Sequence, residues 1–177
     1  MRRPMIALAP VVAIGAALLT TPAAALASSA PASAAAADYW VTVKNWRSVK
    51  CLEQSAGTPD LTVAACTGDD SQQWAYTFID VNSAIATVKN KKSGQCLDQI
   101  WADGVETTAV EAAACTGGLS QQWQVFAAEY QVTGYFLTNR SSGKDLQQTY
   151  VNNVQTPDVS VVQYSSIGDY RNLIWRR

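Results

Sequence analysis

Cys51-Leu52-Glu53 and Cys96-Leu97-Asp98 set a carboxylate directly after the same Cys-Leu pair, and Asp145-Leu146-Gln147 repeats the pattern with an amide in its place. An ionised carboxylate is an acceptor-only group with two oxygens, and its hydrogen bonds are stronger than neutral ones. At a strand end such a group can hold two neighbouring hydroxyls. Asp98 has Trp101 close behind it, an apolar face beside an acceptor, and Ser120, Gln121, Gln72 and Asn172 are the polar side chains just ahead of Trp123, Trp74 and Trp175. These groups are suited to binding and poorly suited to catalysis. The chain has no histidine, the commonest general base, and its four cysteines form an even set with no thiol left over as a nucleophile. Glu53 and Asp98 fall in different repeats, too far apart to flank one bond as glycosidase acids do. No Gly-x-Ser-x-Gly, phosphate-binding or metal motif occurs, and the cysteine spacings without histidine do not make a zinc site. No catalytic residue, metal or cofactor is therefore expected.

These residues recur because the chain repeats itself. Cys66-Thr67-Gly68-Asp69-Asp70-Ser71-Gln72-Gln73-Trp74 returns as Cys115-Thr116-Gly117-Gly118-Leu119-Ser120-Gln121-Gln122-Trp123, and a degraded copy runs from Ile167 to Trp175. Upstream, Lys44-Asn45, Lys89-Asn90 and Thr138-Asn139 precede Cys51, Cys96 and Asp145 by a constant gap. Matches at both ends of a unit, three times over, define the organisation of the chain. The repeats run over about 38–82, 83–131 and 132–177. Trp74, Trp123 and Trp175 are expected to form a buried layer around a pseudo-threefold axis, with Gln72 and Gln121 bonding strand backbone nearby.

Residues 1–37 are expected to be an export segment. Arg2-Arg3 is followed by an apolar run from Ile6 to Leu19, then by Ala25-Leu26-Ala27 and an Ala/Ser-rich leader. The run is short and broken by Pro10, so a Sec-type signal peptide and a secreted product without membrane insertion are expected. The remaining 38–177 is the size of one domain. A net charge of −1 with no basic stripe argues against nucleic acid and against a charged membrane surface. Export favours disulfides among Cys51, Cys66, Cys96 and Cys115. The third repeat has lost both cysteine positions, to Asp145 and Ile167. Joint loss is what bonds within a repeat predict, so Cys51–Cys66 and Cys96–Cys115 are expected.

Short β-branched or alternating runs between polar turns imply about four strands per repeat, twelve in all, and no amphipathic helix. Among them are Val110 to Ala114, Gln131 to Thr138 and Val159 to Tyr164. Closure of the sheet would remove the exposed edges. The Gln72-x-Trp74 and Gln121-x-Trp123 pairs, each with a cysteine eight residues before the tryptophan, resemble the ricin-B-type lectin family, as do Ser93-Gly94-Gln95-Cys96-Leu97-Asp98 and Ser142-Gly143-Lys144-Asp145-Leu146. The resemblance covers the whole of 38–177 and implies an all-β fold, a β-trefoil of three four-stranded repeats with pseudo-threefold symmetry.

The resemblance also implies a place for sugar in each repeat: an acid after Cys-Leu, an aromatic ring two residues before the second cysteine, and an amide three before the tryptophan. The first repeat offers Glu53, Ala64 and Ser71; the second Asp98, Ala113 and Ser120; the third Gln147, Ser165 and Asn172. None is complete. Asp98 either bonds to Gln121 and backbone or meets a ligand, and Trp101 either packs on its own hairpin or supplies the missing ring. Trp40, Trp46, Tyr135 and Tyr150 are expected to pack on hairpins at the surface. Two functions remain open: a degenerate carbohydrate-binding module, or a module that binds a secreted or cell-surface protein without sugar chemistry. A monomer is expected in either case.

Overall fold

The computed structural model describes residues 39–128, 133–152, 154–166 and 170–177; the expected export segment and Ile167 lie outside them. The first repeat contributes β1 (Trp40–Thr42), β2 (Lys44–Asn45), β3 (Cys51–Gln54), β4 (Leu61–Ala64) and β5 (Gln73–Asp80). The second contributes β6 (Ile85–Asn90), β7 (Cys96–Ala102), β8 (Val105–Ala113) and β9 (Trp123–Ala127). The third contributes β10 (Tyr135–Asn139), β11 (Asp145–Val151), β12 (Val154–Val162) and β13 (Trp175–Arg176). No α-helix occurs among the described residues, and every strand pairing is antiparallel. Among the described residues there are thirteen strands where about twelve were expected, because the first strand is interrupted at Val43: β1 pairs with β5 while β2 pairs with β13.

That interruption closes a barrel. Strands β5, β6, β9, β10 and β13 pair in succession, and the two halves of the first strand complete the ring. The hairpins β3–β4, β7–β8 and β11–β12 meet pairwise over one end, at Asp60 with Glu111, Ala109 with Ser160, and Thr62 with Asp158. The chain is a β-trefoil. Trp74, Trp123 and Trp175 are fully buried, and each indole N–H donates to the carbonyl of Leu52, Leu97 or Leu146 at about 3.0 Å. The bond satisfies the one polar group of a large apolar side chain, so the whole ring can be buried. Tyr135 is not a surface residue as expected but a buried one: its hydroxyl lies 2.8 Å from that of Tyr76, and the Arg177 guanidinium covers both rings.

The repeats are also linked to one another through three fully buried asparagines. Asn90 donates to the Ser71 carbonyl, Asn139 to that of Ser120, and Asn45 to that of Asn172, so each repeat reaches back to the one before it and the first to the third. A second set of links is incomplete. Ser93 donates to Gln54, and Ser142 to Gln99, but the matching acceptor on Gln148 is buried without a partner. At that same junction Val49, at φ 60°, stands where Gly94 and Gly143 have φ 71° and 69°. The disulfides are Cys51–Cys66 and Cys96–Cys115, as the paired loss in the third repeat predicts.

Two stability measurements follow from this packing. Trp123→Ala should cost about 3–5 kcal/mol in urea unfolding, the range for deleting a buried aromatic. Val49→Gly should raise the unfolding midpoint. A β-branched residue in the left-handed region carries roughly 1–3 kcal/mol of strain, against about 0.5–1 kcal/mol of added chain entropy for glycine. Little burial is lost, because Val49 is largely exposed.

Candidate functional site

The glutamine of each Gln-x-Trp pair sits in a 3-10 turn, Asp70–Gln72 or Leu119–Gln121, that turns the chain toward the next tryptophan. Its side chain is buried and fully used. Gln121 Oε1 accepts from the backbone N–H groups of Thr116 and Gly117, while Nε2 donates to the Ala114 carbonyl and, at 2.9 Å, to Asp98 Oδ2. Gln72 makes the same contacts with Thr67, Gly68 and Ala65, and donates to Glu53 Oε2 at 2.8 Å. In the third repeat Asn172 donates to Gln147 Oε1 at 3.0 Å. One amide thus fixes the loop after the strand and aims the acid at the start of the hairpin.

Among the expected site residues, Asp98 and Gln121 are brought together and so are Glu53 and Gln72. Ser120 contributes only its carbonyl, which receives the Asn139 amide. Asp98 is half-buried in β7, and its second oxygen, Oδ1, lies beneath the surface with no partner. Trp101 stands near the far end of β7, 42% exposed and opposite Glu106, beyond a bulge between Gln99 and Trp101. Three clefts among the described residues, one beside Gln54 and Pro59, one beside Phe136 and Tyr164, and one beside Gly134 and Arg177, are lined by neither Asp98, Glu53 nor Trp101.

Strand register corrects the third repeat. Ala64 lies opposite Cys51, Ala113 opposite Cys96, and Val162 opposite Asp145. Val162, rather than Ser165, therefore holds the expected aromatic position, and all three repeats carry an aliphatic residue there. Two residues further on, where the first and second repeats have Cys66 and Cys115, the third has Tyr164 rather than Ile167. Tyr164 precedes Trp175 by eleven residues, whereas each cysteine precedes its tryptophan by eight, so counting back from Trp175 slips by three. Tyr164 begins a 3-10 turn instead of ending a strand.

Asp145 and Tyr164, at the two lost cysteine positions, line one cleft of about 410 Å³ together with Phe126, Phe136, Thr138 and Tyr170. Asp145 is 6% exposed, and its Oδ1 accepts the Thr138 hydroxyl. Burial raises its pKa, with the Thr138 hydrogen bond opposing the shift. Sequence reasoning treated Asp145 only as a missing cysteine. The signal that could have found the cleft was Phe136, which stands where the other repeats have Thr42 and Thr87.

The sequence pattern of the ricin-type beta-trefoil lectin domain matches residues 39–166. Among solved structures, the chain resembles the designed 3-fold symmetric protein ThreeFoil, with 25% identity, a TM-score of 0.61, and coverage of 77% of this chain and 96% of that one. It also resembles 1,3Gal43A, an exo-beta-1,3-galactanase from Clostridium thermocellum, at 20% identity and TM-score 0.63, covering 80% of this chain and 30% of that one. A mosquitocidal holotoxin matches at 14% identity and TM-score 0.63, covering 79% of this chain and 17% of that one. The chain thus spans under a third of the length of the galactanase and the holotoxin. No curated protein matches it.

The raised pKa of Asp145 has a signed consequence for stability. A carboxyl that holds its proton more tightly folded than unfolded favours the folded state at low pH, and that contribution is lost as pH rises through the folded pKa. Asp145→Asn should therefore gain melting temperature relative to the parent at neutral pH, with the difference shrinking as pH falls below the unfolded carboxylate value. A variant that loses stability at neutral pH would contradict this.

Proposed function

The chain belongs to the ricin-type β-trefoil lectin domain family, and from that premise we propose that it is a secreted, non-catalytic carbohydrate-binding module with degenerate sugar sites, the best of them in the second repeat. The observation that carries the reading is the Asp98 carboxylate, held by Gln121 through Oδ2 and left with an unpartnered Oδ1. A buried acceptor without a partner costs stability, so its retention suggests an external donor. Sugar hydroxyls are donors of the right kind once a small side-chain shift exposes Oδ1. Trp101, exposed on the same strand, is the ring nearest in sequence. Glu53 offers a second, longer acid on the first hairpin, and Asn172 with Gln147 a neutral pair on the third. Such sites are individually weak, and together they suit a polysaccharide that engages several at once.

Residues 1–37 fit this reading as the export segment, and the two disulfides are consistent with an extracellular protein. Against catalysis, Glu53 and Asp98 sit on separate hairpins, and each is engaged by a structural glutamine. One observation favours a second reading, a protein-interaction module. The expected aromatic position holds Ala64, Ala113 and Val162, so no repeat keeps the stacking ring.

A glycan array followed by titration calorimetry separates the two. Asp98→Asn removes the charge at constant size, and a charge-assisted hydrogen bond is worth about 1.5–3 kcal/mol, so affinity for the selected glycan should fall roughly tenfold to a hundredfold. Glu53→Gln should matter less. An array with no hits, or unchanged affinity in a folded Asp98→Asn variant, favours the protein-interaction reading.

A further inference from the structure

The cleft of the third repeat has no counterpart in the family-type sugar position and contains neither Glu53 nor Asp98. In the first and second repeats a disulfide fills the equivalent space. In the third, Asp145 and Tyr164 replace the two cysteines and leave a cleft whose walls are the rings of Phe126, Phe136, Tyr164 and Tyr170. Phe136 and Tyr164 meet edge to face, with centroids 6.0 Å apart and planes at 86°, so the ring faces are held at an angle. Phe126, Tyr164 and Tyr170 are each 40–52% exposed, leaving ring surface free for a ligand. At the floor, Asp145 uses Oδ1 to accept the Thr138 hydroxyl. No other side-chain partner of Asp145 occurs among the described residues, and none of the seven residues lining the cleft is cationic. A nearly buried carboxylate without a counter-charge is costly. Its natural complement is a cation, and aromatic faces attract cations as well.

We propose that this cleft binds an organic ammonium ion, specifically a trimethylammonium group, between the rings of Phe126, Phe136, Tyr164 and Tyr170 with Asp145 as its counter-ion. The methyl groups pack on the ring faces while the positive charge meets the quadrupole of the rings and the carboxylate. An inorganic cation would be served poorly, since it needs several oxygen ligands and the cleft offers few. A neutral sugar would use the carboxylate but would gain nothing from the missing counter-charge. The trimethylammonium group can belong to a free choline compound or to a phosphatidylcholine headgroup, and the test includes both.

The test is titration of the full chain with choline chloride, followed by calorimetry and by the aromatic proton resonances, alongside co-sedimentation with phosphatidylcholine vesicles. The neutral isostere 3,3-dimethylbutan-1-ol is the control. Choline should bind at least tenfold more tightly than the isostere. Asp145→Asn, which keeps a partner for Thr138, should remove that preference, and Tyr170→Ala, at an exposed position, should weaken choline without unfolding the protein. Asp98→Asn should leave choline binding unchanged, so failure of this site and failure of the sugar reading are separable. Binding of choline or of vesicles with this dependence on Asp145 supports the proposal and identifies the source. Equal binding of the isostere, an unaltered Asp145→Asn variant, or no response from either source overturns it.

Discussion

The trefoil depends on three buried asparagine side chains. Each of Asn45, Asn90 and Asn139 uses its amide nitrogen to hold the carbonyl of a neighbouring repeat and its amide oxygen to accept backbone N–H groups of the turn that enters its own hairpin. A hydrogen bond of this kind contributes only about 1 kcal/mol net, but leaving either end unmade in the interior costs more. The arrangement therefore tolerates one geometry, and the start of each hairpin is placed relative to the tryptophan of the adjacent repeat. The acids two residues into those hairpins inherit that placement.

A single amide then holds both the loop and the acid. Gln72 and Gln121 satisfy two loop N–H groups and the carbonyl just past a strand, and their remaining donor reaches Glu53 or Asp98. Because the glutamine is needed for the loop, the orientation of the acid is retained whether or not a ligand is bound. The aromatic position has no such second duty, which accounts for Glu53 and Asp98 being present where Ala64 and Ala113 hold no ring.

Much of this was legible in the amino-acid sequence. The spacing of Cys66 to Trp74 and Cys115 to Trp123 exposed the repeat, the buried tryptophans and the disulfide partners, because those features are tied to fixed local distances. The pairing of Asp98 with Gln121 was one of two readings, and the folded hairpin shows that bond at Oδ2. What escaped was non-local. The asparagines served to align the repeats, but nothing in a linear pattern indicates that Asn45 bonds to a residue 127 positions away. The cleft of the third repeat escaped because an insertion after Tyr164 shifted the count from Trp175, and strand pairing opposite Asp145 is what restores it. Tyr135 was misplaced for a related reason: it is covered by Tyr76 from β5 of the first repeat and by Arg177 after β13, neither of them near it in sequence.

The pairing of β13 with β2 joins the third repeat to the first and is the longest-range closure in the barrel. Hairpins and adjacent repeats form from segments close in the chain, whereas this joint must wait for the chain to bring distant parts together, at a loop-closure cost that grows with length. It is also the junction where Gln148 lacks the serine donor its equivalents have, and where Val49 occupies a glycine conformation. The domain repeats threefold and is unequal in its seams: the third spans the longest stretch of chain and lacks a side-chain link that the other two have.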